Sequence, residues 1–272
     1  MKQFVRVRIQ SQVSPVDELS GDLMEMGCEG ITELSEHQCE AFFPSDAVPT
    51  ATAFLKGMPG ITLRVERIDN LDWNAEWKKN IRPVALSERI TVYPDWLIPP
   101  VLRPLDITIS PKMSFGTGHH ETTRLCAQML ESHAPGASSL LDAGTGSGIL
   151  AIAASKLGVP YIVAFDSDPV TLENIRENID ANHCTGITPF IGTFDALRPA
   201  LTFDVVIANI ISSVLLSMLP SLRRLATQRL ILSGLLTSEA PSFNAAVESA
   251  GFRILETRSE HEWYALAAER IR

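Results

Sequence analysis

The chain has 272 residues, of which 45% are hydrophobic and 20% are charged, and its formal net charge is -9 at pH 7. This length allows one large or two smaller domains with substantial cores, and we expect two. The acidic balance argues against a surface that binds nucleic-acid phosphates but suits a basic protein partner. The four cysteines have neither C-x-x-C spacing nor nearby histidine clusters, so no metal site and no disulfide framework is predicted.

Neither a membrane span nor a signal peptide is predicted. No run of about 18 apolar residues occurs. Residues 1–4 lead straight into an alternating strand pattern, which is unlike a secretory leader. We expect a cytoplasmic protein that is a monomer.

Residues 1–68 have the pattern of a small α+β domain. Alternating segments predict strands, and apolar residues at helical spacing predict two helices. The predicted elements are strand Phe4–Ile9, helix Val16–Met26, strands Gly30–Leu34 and Gln38–Phe43, helix Pro49–Leu55 and strand Ile61–Ile68. This βαββαβ order is typical of a ferredoxin-like fold. Because no acid, base and nucleophile cluster there, we expect substrate recognition from this domain, with a purely structural role as the alternative.

Residues 69–95 are predicted to connect this domain to a second one, 96–272. A short helix over residues 69–80 would place Trp73 and Trp77 on one face, where packing is favoured over ligand binding. The strand patterns at Ile90–Tyr93 and Ile107–Ile109 predict a small hairpin at the start of the second domain.

A glycine-rich loop lies between a strand and a helix in the second domain. The apolar run ends at Asp142, glycines follow at positions 144, 146 and 148, and a helix is predicted from Ile149. Such glycines allow a ligand close to the backbone, and the helix start offers free N–H groups. The spacing lacks the third glycine of G-x-G-x-x-G, and no lysine of a P-loop is present, so neither nucleotide motif is predicted.

A second acid follows the next apolar strand. Tyr161–Phe165 ends at Asp166, whose carboxylate could bind ribose hydroxyls. A glycine loop with this acid favours S-adenosylmethionine, with Asp142 and the loop backbone at the methionine part and Asp166 at the ribose. The alternative is an ordinary βα turn with solvated acids.

The remaining strands predict a doubly wound α/β sheet. Phe203–Asn209 is another apolar strand and ends in an amide. Ligands in such sheets bind outside the carboxyl ends of the strands, so we expect Gly144, Asp166 and Asn209 to converge. The later elements are strand Arg229–Ser233, helix Ser238–Ala250 and strands Phe252–Thr257 and Trp263–Ala267. A terminal antiparallel hairpin of this kind is typical of class I, Rossmann-like methyltransferases.

The loop ahead of the glycine-rich segment is unusually polar. Phe115 could cover a bound ligand as a lid. His119 and His120 are expected to form local hydrogen bonds where a helix starts near Glu121, since no further metal ligands lie nearby in the sequence.

Several segments together resemble the PrmA family, bacterial methyltransferases of the L-eleven protein at the base of the large-subunit ribosomal stalk. They are Phe115–Thr123, Asp142–Ala154, Asp166–Pro169, Ala208–Ile210 and Ser233–Leu236. The resemblance implies a class I fold with a ferredoxin-like N-terminal domain, S-adenosyl-L-methionine as cofactor, and methyl transfer to lysine or N-terminal amines of that ribosomal protein. The cofactor-binding candidates are Phe115, Thr117, Thr123, Asp142, Gly144, Gly146, Asp166 and Asn209, and Asn209 is also the catalytic candidate.

Two other functions stay open from the sequence. Methyltransferases of nucleic-acid bases usually carry Asn/Asp-Pro-Pro-aromatic to stack the flipped base. Here the segment is Asn209-Ile210-Ile211-Ser212, which keeps the amide but lacks the prolines and the aromatic ring. The second alternative is an assembly factor that binds the cofactor without turnover.

Overall fold

The computed structural model describes residues 4–12, 19, 23–24, 26–28, 30–35, 37–68, 81–111 and 116–271. The chain divides into two compact units, residues 1–80 and 81–272. The predicted connector helix with Trp73 and Trp77 lies outside the described residues. Residues 81–95, which the sequence analysis placed in the connector, belong to the second unit.

The first unit contains a four-stranded antiparallel sheet. Its elements are β1 Phe4–Ser11, β2 Gly30–Ser35, β3 Gln38–Pro44, α1 Val48–Lys56 and β4 Ile61–Ile68. The strand order β2-β3-β1-β4 is that of a ferredoxin-like fold, as predicted. Alternation along β1 buries Val5, Val7 and Ile9 against Leu55 of α1. Most of the predicted helix Val16–Met26 lies outside the described residues.

The second unit contains a seven-stranded sheet and a small three-stranded sheet. Its elements are β5 Val84–Ala85, β6 Thr91–Pro94, β7 Ile107–Ile109, α2 Glu121–His133, β8 Ser139–Ala143, α3 Ile149–Lys156, β9 Tyr161–Asp166, α4 Thr171–Ala181, β10 Ile187–Ile191, β11 Phe203–Asn209, α5 Ser212–Leu225, β12 Ala226–Leu236, α6 Ala240–Ser249, β13 Phe252–Glu260 and β14 Trp263–Arg270. The large sheet has the order β10-β9-β8-β11-β12-β14-β13.

Helices cover both faces of the large sheet. Successive residues of β8 point to opposite sides, so Leu140 packs in one core with Met129 of α2, whereas Leu141 packs in another with Leu215 of α5. The first five strands in this order pair in parallel, and β14 runs antiparallel to both of its neighbours. The predicted doubly wound sheet with a terminal hairpin is confirmed.

The prediction of a hairpin between Ile90–Tyr93 and Ile107–Ile109 is wrong. In the structure β6 pairs in parallel with β7, and the antiparallel neighbour of β6 is β5. A hairpin joins antiparallel strands by a short turn, whereas parallel strands need a longer connection. Residues 95–106 supply that connection. The patterns of the two strands do not show whether it returns the chain in parallel or antiparallel direction.

Three labelled elements were not predicted: β5, β10 and α5. Strand β10 contains Pro189, which argues against a central strand but is tolerated here because β10 is at the sheet edge. Helix α5 contains Pro220, yet Leu215, Leu219 and Leu222 are buried at helical spacing. Across the described ranges, no helix combines the length and apolar character needed to cross a membrane.

Candidate active site at the carboxyl ends of the central strands

The three strands that carry the candidate residues are neighbours in the sheet. Strand β8 lies between β9 and β11 and is parallel to both. Their carboxyl ends meet at one edge, which is where ligands bind in open α/β sheets. The structure therefore brings Gly144, Asp166 and Asn209 to one edge of the sheet, as expected from the sequence.

The glycine-rich loop is held against β9 by its own backbone. Gly144, Gly146 and Gly148 have φ angles of 72°, 55° and 84°, which other residues adopt only with strain. The Gly144 N–H donates to the carbonyl of Phe165 at 2.9 Å. A Cβ on Gly144 would lie 2.8 Å from Cδ1 of Ile210. The loop is thus crowded by the residue that follows Asn209, and only glycine fits there.

Asp166 orients this loop. Its Oδ2 accepts a hydrogen bond from the Gly146 N–H at 2.9 Å, and its Oδ1 accepts one from the Asp168 N–H at 3.0 Å. Each carboxylate oxygen has a second lone pair, and the side chain is partly exposed. Asp166 can therefore hold the loop and still accept ribose hydroxyls.

Asp142 is a buried carboxylate whose two oxygens differ in their contacts. It is 1% exposed, and its Oδ2 accepts hydrogen bonds from Thr145 Oγ1 at 2.6 Å and Ala151 N at 3.1 Å. Its Oδ1 has no hydrogen-bond partner among the described residues. Burial raises the pKa of this carboxyl from the usual 3.8 to about 6, and the charge of Asp166 adds to the rise. A buried acceptor without a partner suits a cationic or N–H donor group of a ligand.

Replacing Asp142 with asparagine should stabilise the ligand-free protein at alkaline pH. The pKa of Asp142 is higher in the folded protein than in the unfolded chain. Its contribution to the free energy of unfolding is therefore complete below about pH 4 and is lost as the pH rises through about 6. An amide has no charge to bury, so at pH 8 the free energy of unfolding should exceed that of the wild type by up to about 3 kcal/mol. Urea unfolding at pH 5 and pH 8 measures this. If Asp142→Asn raised the free energy of unfolding by the same amount at both pH values, Asp142 would not be the titrating group.

Asn209 and Thr123 are in contact across the site. Asn209 Nδ2 lies 3.5 Å from Thr123 Oγ1, which is buried in the first turn of α2. The Ile210 N–H donates to the Ser233 carbonyl at 3.0 Å, and a Cβ on Gly234 would overlap the Ile210 carbonyl. The backbone beside Asn209 is therefore fixed by β12, so the amide has a defined direction.

The polar loop ahead of α2 has the predicted local hydrogen bonds. His120 is the N-cap of α2 and accepts from the Thr122 N–H at 3.3 Å, while Thr117 Oγ1 lies 3.3 Å from His119 Nδ1. Phe115 lies outside the described residues. No group of three or more possible metal-binding side chains occurs in the part of the chain that the structure describes.

The glycine-rich loop also contacts the two segments that precede α2. Ser147 Oγ donates to the Gly116 carbonyl at 2.6 Å. The Ser147 carbonyl accepts from Asn178 Nδ2 at 2.8 Å, and Asn178 Oδ1 accepts from the Ser110 N–H at 2.8 Å. Asn178 is fully buried, so it joins the segment after β7 to the glycine-rich loop.

Asn178 was not among the site residues predicted from the sequence. Asn174 lies on α4 and Asn182 directly follows it, each four residues from Asn178. Asn174 binds the Ser110 carbonyl, and Asn182 binds the backbone of Thr108 in β7. A signal for these asparagines is present in the sequence, since three amides recur every four residues on the apolar face of the helix. Buried amides need polar partners, so this pattern indicates hydrogen bonds to a neighbouring segment.

Comparison with known proteins identifies the family. Residues 3–271 match the family model described as ribosomal protein L11 methyltransferase (PrmA). The ribosomal protein L11 methyltransferase of Pelobacter propionicus is 38% identical over 224 residues, which are 78% of this chain and 72% of that protein. The protein of the same name from Clostridium perfringens is 32% identical over 211 residues, 76% of this chain and 67% of that protein.

A solved structure agrees with these sequence matches. The crystal structure of the ribosomal protein L11 methylase from Lactobacillus delbrueckii subsp. bulgaricus superposes with a TM-score of 0.65 at 28% sequence identity. The match covers 71% of this chain and 100% of that chain. The chain belongs to the ribosomal protein L11 methyltransferase family.

Proposed function

We propose that this chain transfers methyl groups from S-adenosyl-L-methionine to lysine side-chain or N-terminal amines of ribosomal protein L11, in the cytoplasm. The observation that carries the proposal is the placement of the Asn209–Thr123 pair beside the glycine-rich loop, at one edge of the sheet. Family membership supports both the reaction type and the protein substrate.

The residues of the site fit this cofactor. The buried Oδ1 of Asp142, which has no partner among the described residues, matches the α-ammonium group of a methionine moiety, and the remaining lone pairs of Asp166 match ribose hydroxyls. The left-handed glycines let a ligand approach the backbone without meeting a Cβ. When bound, S-adenosylmethionine would supply a methyl group on a positively charged sulfur: the amine lone pair forms the N–C bond as the S–C bond breaks, the neutral thioether leaves, and the methylated ammonium loses its proton to solvent.

The acceptor amine must reach the methyl group in its neutral form. A lysine with a pKa of about 10.4 is neutral in about one molecule in a few thousand at pH 7, which costs about 4 to 5 kcal/mol. Because Asn209 Nδ2 is directed at Thr123, its Oδ1 is left to accept an amine hydrogen and direct the lone pair. Asn209 would thus select and orient the neutral amine instead of acting as a base.

Removing the Asp166 carboxylate should weaken cofactor binding. A charge-assisted hydrogen bond between the ribose and this carboxylate contributes about 1.5 to 3 kcal/mol, so Asp166→Ala, which also removes the Gly146 contact, should raise the dissociation constant about ten- to a hundredfold. Titration calorimetry with S-adenosylmethionine measures the constant, and circular dichroism checks that the fold survives. Asp168→Ala is the matched control on the same loop, and unchanged affinity for Asp166→Ala would remove Asp166 from the site.

The proposed reaction is tested with purified components. The chain is incubated with S-adenosylmethionine and ribosomal protein L11, and intact-mass spectrometry counts the methyl groups added. Mass gain in L11 that disappears with Asn209→Ala supports the proposal. Transfer to ribosomal RNA but not to L11 would support base methylation instead. Cofactor binding with no transfer to either would support a non-catalytic assembly factor.

The division of labour between domains is part of the proposal. The boundaries suggested by the sequence are residues 1–68 for substrate recognition, 69–95 for the connector and 96–272 for catalysis. The candidate residues that the structure describes all lie in the second unit, 81–272, and this supports the assignment of chemistry to that unit.

A further inference from the structure

Arg124 links the polar loop before α2 to the terminal hairpin. Its Nε lies 3.0 and 3.1 Å from the two carboxylate oxygens of Glu260, and its Nη2 lies 2.6 Å from Oε1. Its Nη1 donates to the carbonyl of His119. The Arg124 side chain is 17% exposed. Its contacts with Glu260 are partly buried, whereas its contact with the His119 carbonyl is exposed. One planar guanidinium thus binds a carboxylate at two points and a loop carbonyl at a third.

The hairpin makes a second contact with the same loop. Glu260 is the last residue of β13, and Trp263 is the first of β14. The Trp263 ring packs edge-on against the ring of His120, with centroids 4.7 Å apart. The turn of this hairpin therefore supports the loop at His119 and at His120, while Ser147 supports its other end at Gly116.

The loop needs such support because its backbone is intrinsically free. Gly116 and Gly118 have φ angles of 108° and 88°, and glycine loses more conformational entropy on ordering than any other residue. Thr117 lies between these glycines, and Thr123 follows in the first turn of α2. Any ligand that contacts this loop binds more tightly when the loop is ordered beforehand.

We infer that Arg124 and Glu260 form a positioning pair that orders residues 116–120 for cofactor binding. The inference rests on the proposed function, since it assigns the ordered loop to the S-adenosylmethionine site. The guanidinium acts through the loop backbone and does not itself touch the reacting atoms. Glu260 holds the guanidinium so that Nη1 points at the His119 carbonyl.

A matched control exists on the same strand and helix. Arg258 of β13 contacts Glu256 at 2.5 Å and reaches Gln128 of α2 at 3.1 Å. This second arginine also joins β13 to α2. Its contacts on α2 lie one turn or more beyond Arg124 and, within the described residues, include none of residues 116–120. Arg258→Gln therefore weakens the contact between β13 and α2 but leaves the support of residues 116–120 in place. Its effect on cofactor affinity measures the contribution of that contact alone.

The experiment measures cofactor affinity by calorimetry and loop protection by amide hydrogen exchange in the full chain. Arg124→Gln and Glu260→Gln should each raise the dissociation constant of S-adenosylmethionine about three- to tenfold. The double variant should bind S-adenosylmethionine as tightly as Arg124→Gln alone, because either change breaks the same Arg124–Glu260 interaction. Exchange at residues 116–120 should speed up in these variants but not in Arg258→Gln, and Arg124→Lys should recover part of the affinity.

Four outcomes separate this inference from its alternatives. If the two single variants shift affinity in opposite directions, long-range charge and not loop order is responsible, and the inference fails. If Arg258→Gln weakens binding as much as Arg124→Gln, the role is general stability. If the wild-type chain does not bind S-adenosylmethionine, the proposed function itself fails; tight wild-type binding that is unchanged in Arg124→Gln overturns only the positioning role.

Discussion

Replacing Asn209 with alanine should lower kcat by about a hundredfold at saturating cofactor, while the midpoint of thermal unfolding changes little. Removing a single positioned hydrogen-bonding group that favours the transition state typically costs two to three orders of magnitude. Asn209 is partly exposed at the end of β11, so its loss leaves no buried cavity. Single-turnover methylation of ribosomal protein L11 measures the chemical step.

Thr123 provides the control for the direction of the amide. Thr123→Ser keeps an acceptor for Asn209 Nδ2 and should retain most of the rate, whereas Thr123→Val removes that acceptor and should lower it. A rate unaffected by Thr123→Val would show that the threonine does not set the amide orientation.

The same mechanism predicts a rate that rises with pH. Below the pKa of the acceptor amine in the complex, kcat should increase about tenfold per pH unit, because only the neutral amine has the reacting lone pair. The mechanism assigns no carboxylate as a general base. The plot of kcat against pH should therefore keep rising until the pH reaches the pKa of the acceptor amine. A flat profile between about pH 7 and 9, measured where chemistry limits the rate, would contradict this role of Asn209.

Removal of residues 1–80 should reduce methyl transfer to ribosomal protein L11 by at least about a hundredfold, yet leave cofactor affinity within about threefold of the full chain. Binding energy from a recognition domain raises the effective concentration of the target amine at the site. The second unit has its own two cores, so a chain that begins at Ile81 should fold, and circular dichroism with thermal unfolding checks this.

Measurements on free lysine sharpen that comparison. A small amine does not use the recognition domain, so its slow methylation should be the same with and without residues 1–80. Undiminished transfer to ribosomal protein L11 by the shortened chain would leave the first domain without the role proposed for it.

The elements that the sequence predicted well are those with a local signal. Alternation at Ile61–Ile68 and the apolar run at Phe203–Asn209 were predicted with the observed bounds, because strand period and burial are properties of neighbouring residues. The glycine-rich loop was found for the same reason, since positive φ and close backbone approach require glycine at particular positions. Gly144, Asp166 and Asn209 each follow or end a predicted parallel strand, so the expected topology of the sheet was enough to predict that they lie at one edge.

Contacts between distant residues were decided only by the tertiary structure. Asn178 binds the Ser110 N–H, 68 residues away, and Arg124 binds Glu260 across 136 residues. The parallel pairing of β6 with β7 was likewise decided by the chain between them and not by their own patterns. Burial of Asp142 Oδ1 without a hydrogen-bond partner among the described residues also depends on the helices and strands that pack around it. Local sequence patterns identify which residues could serve a site, but burial and pairing depend on which distant segments pack together.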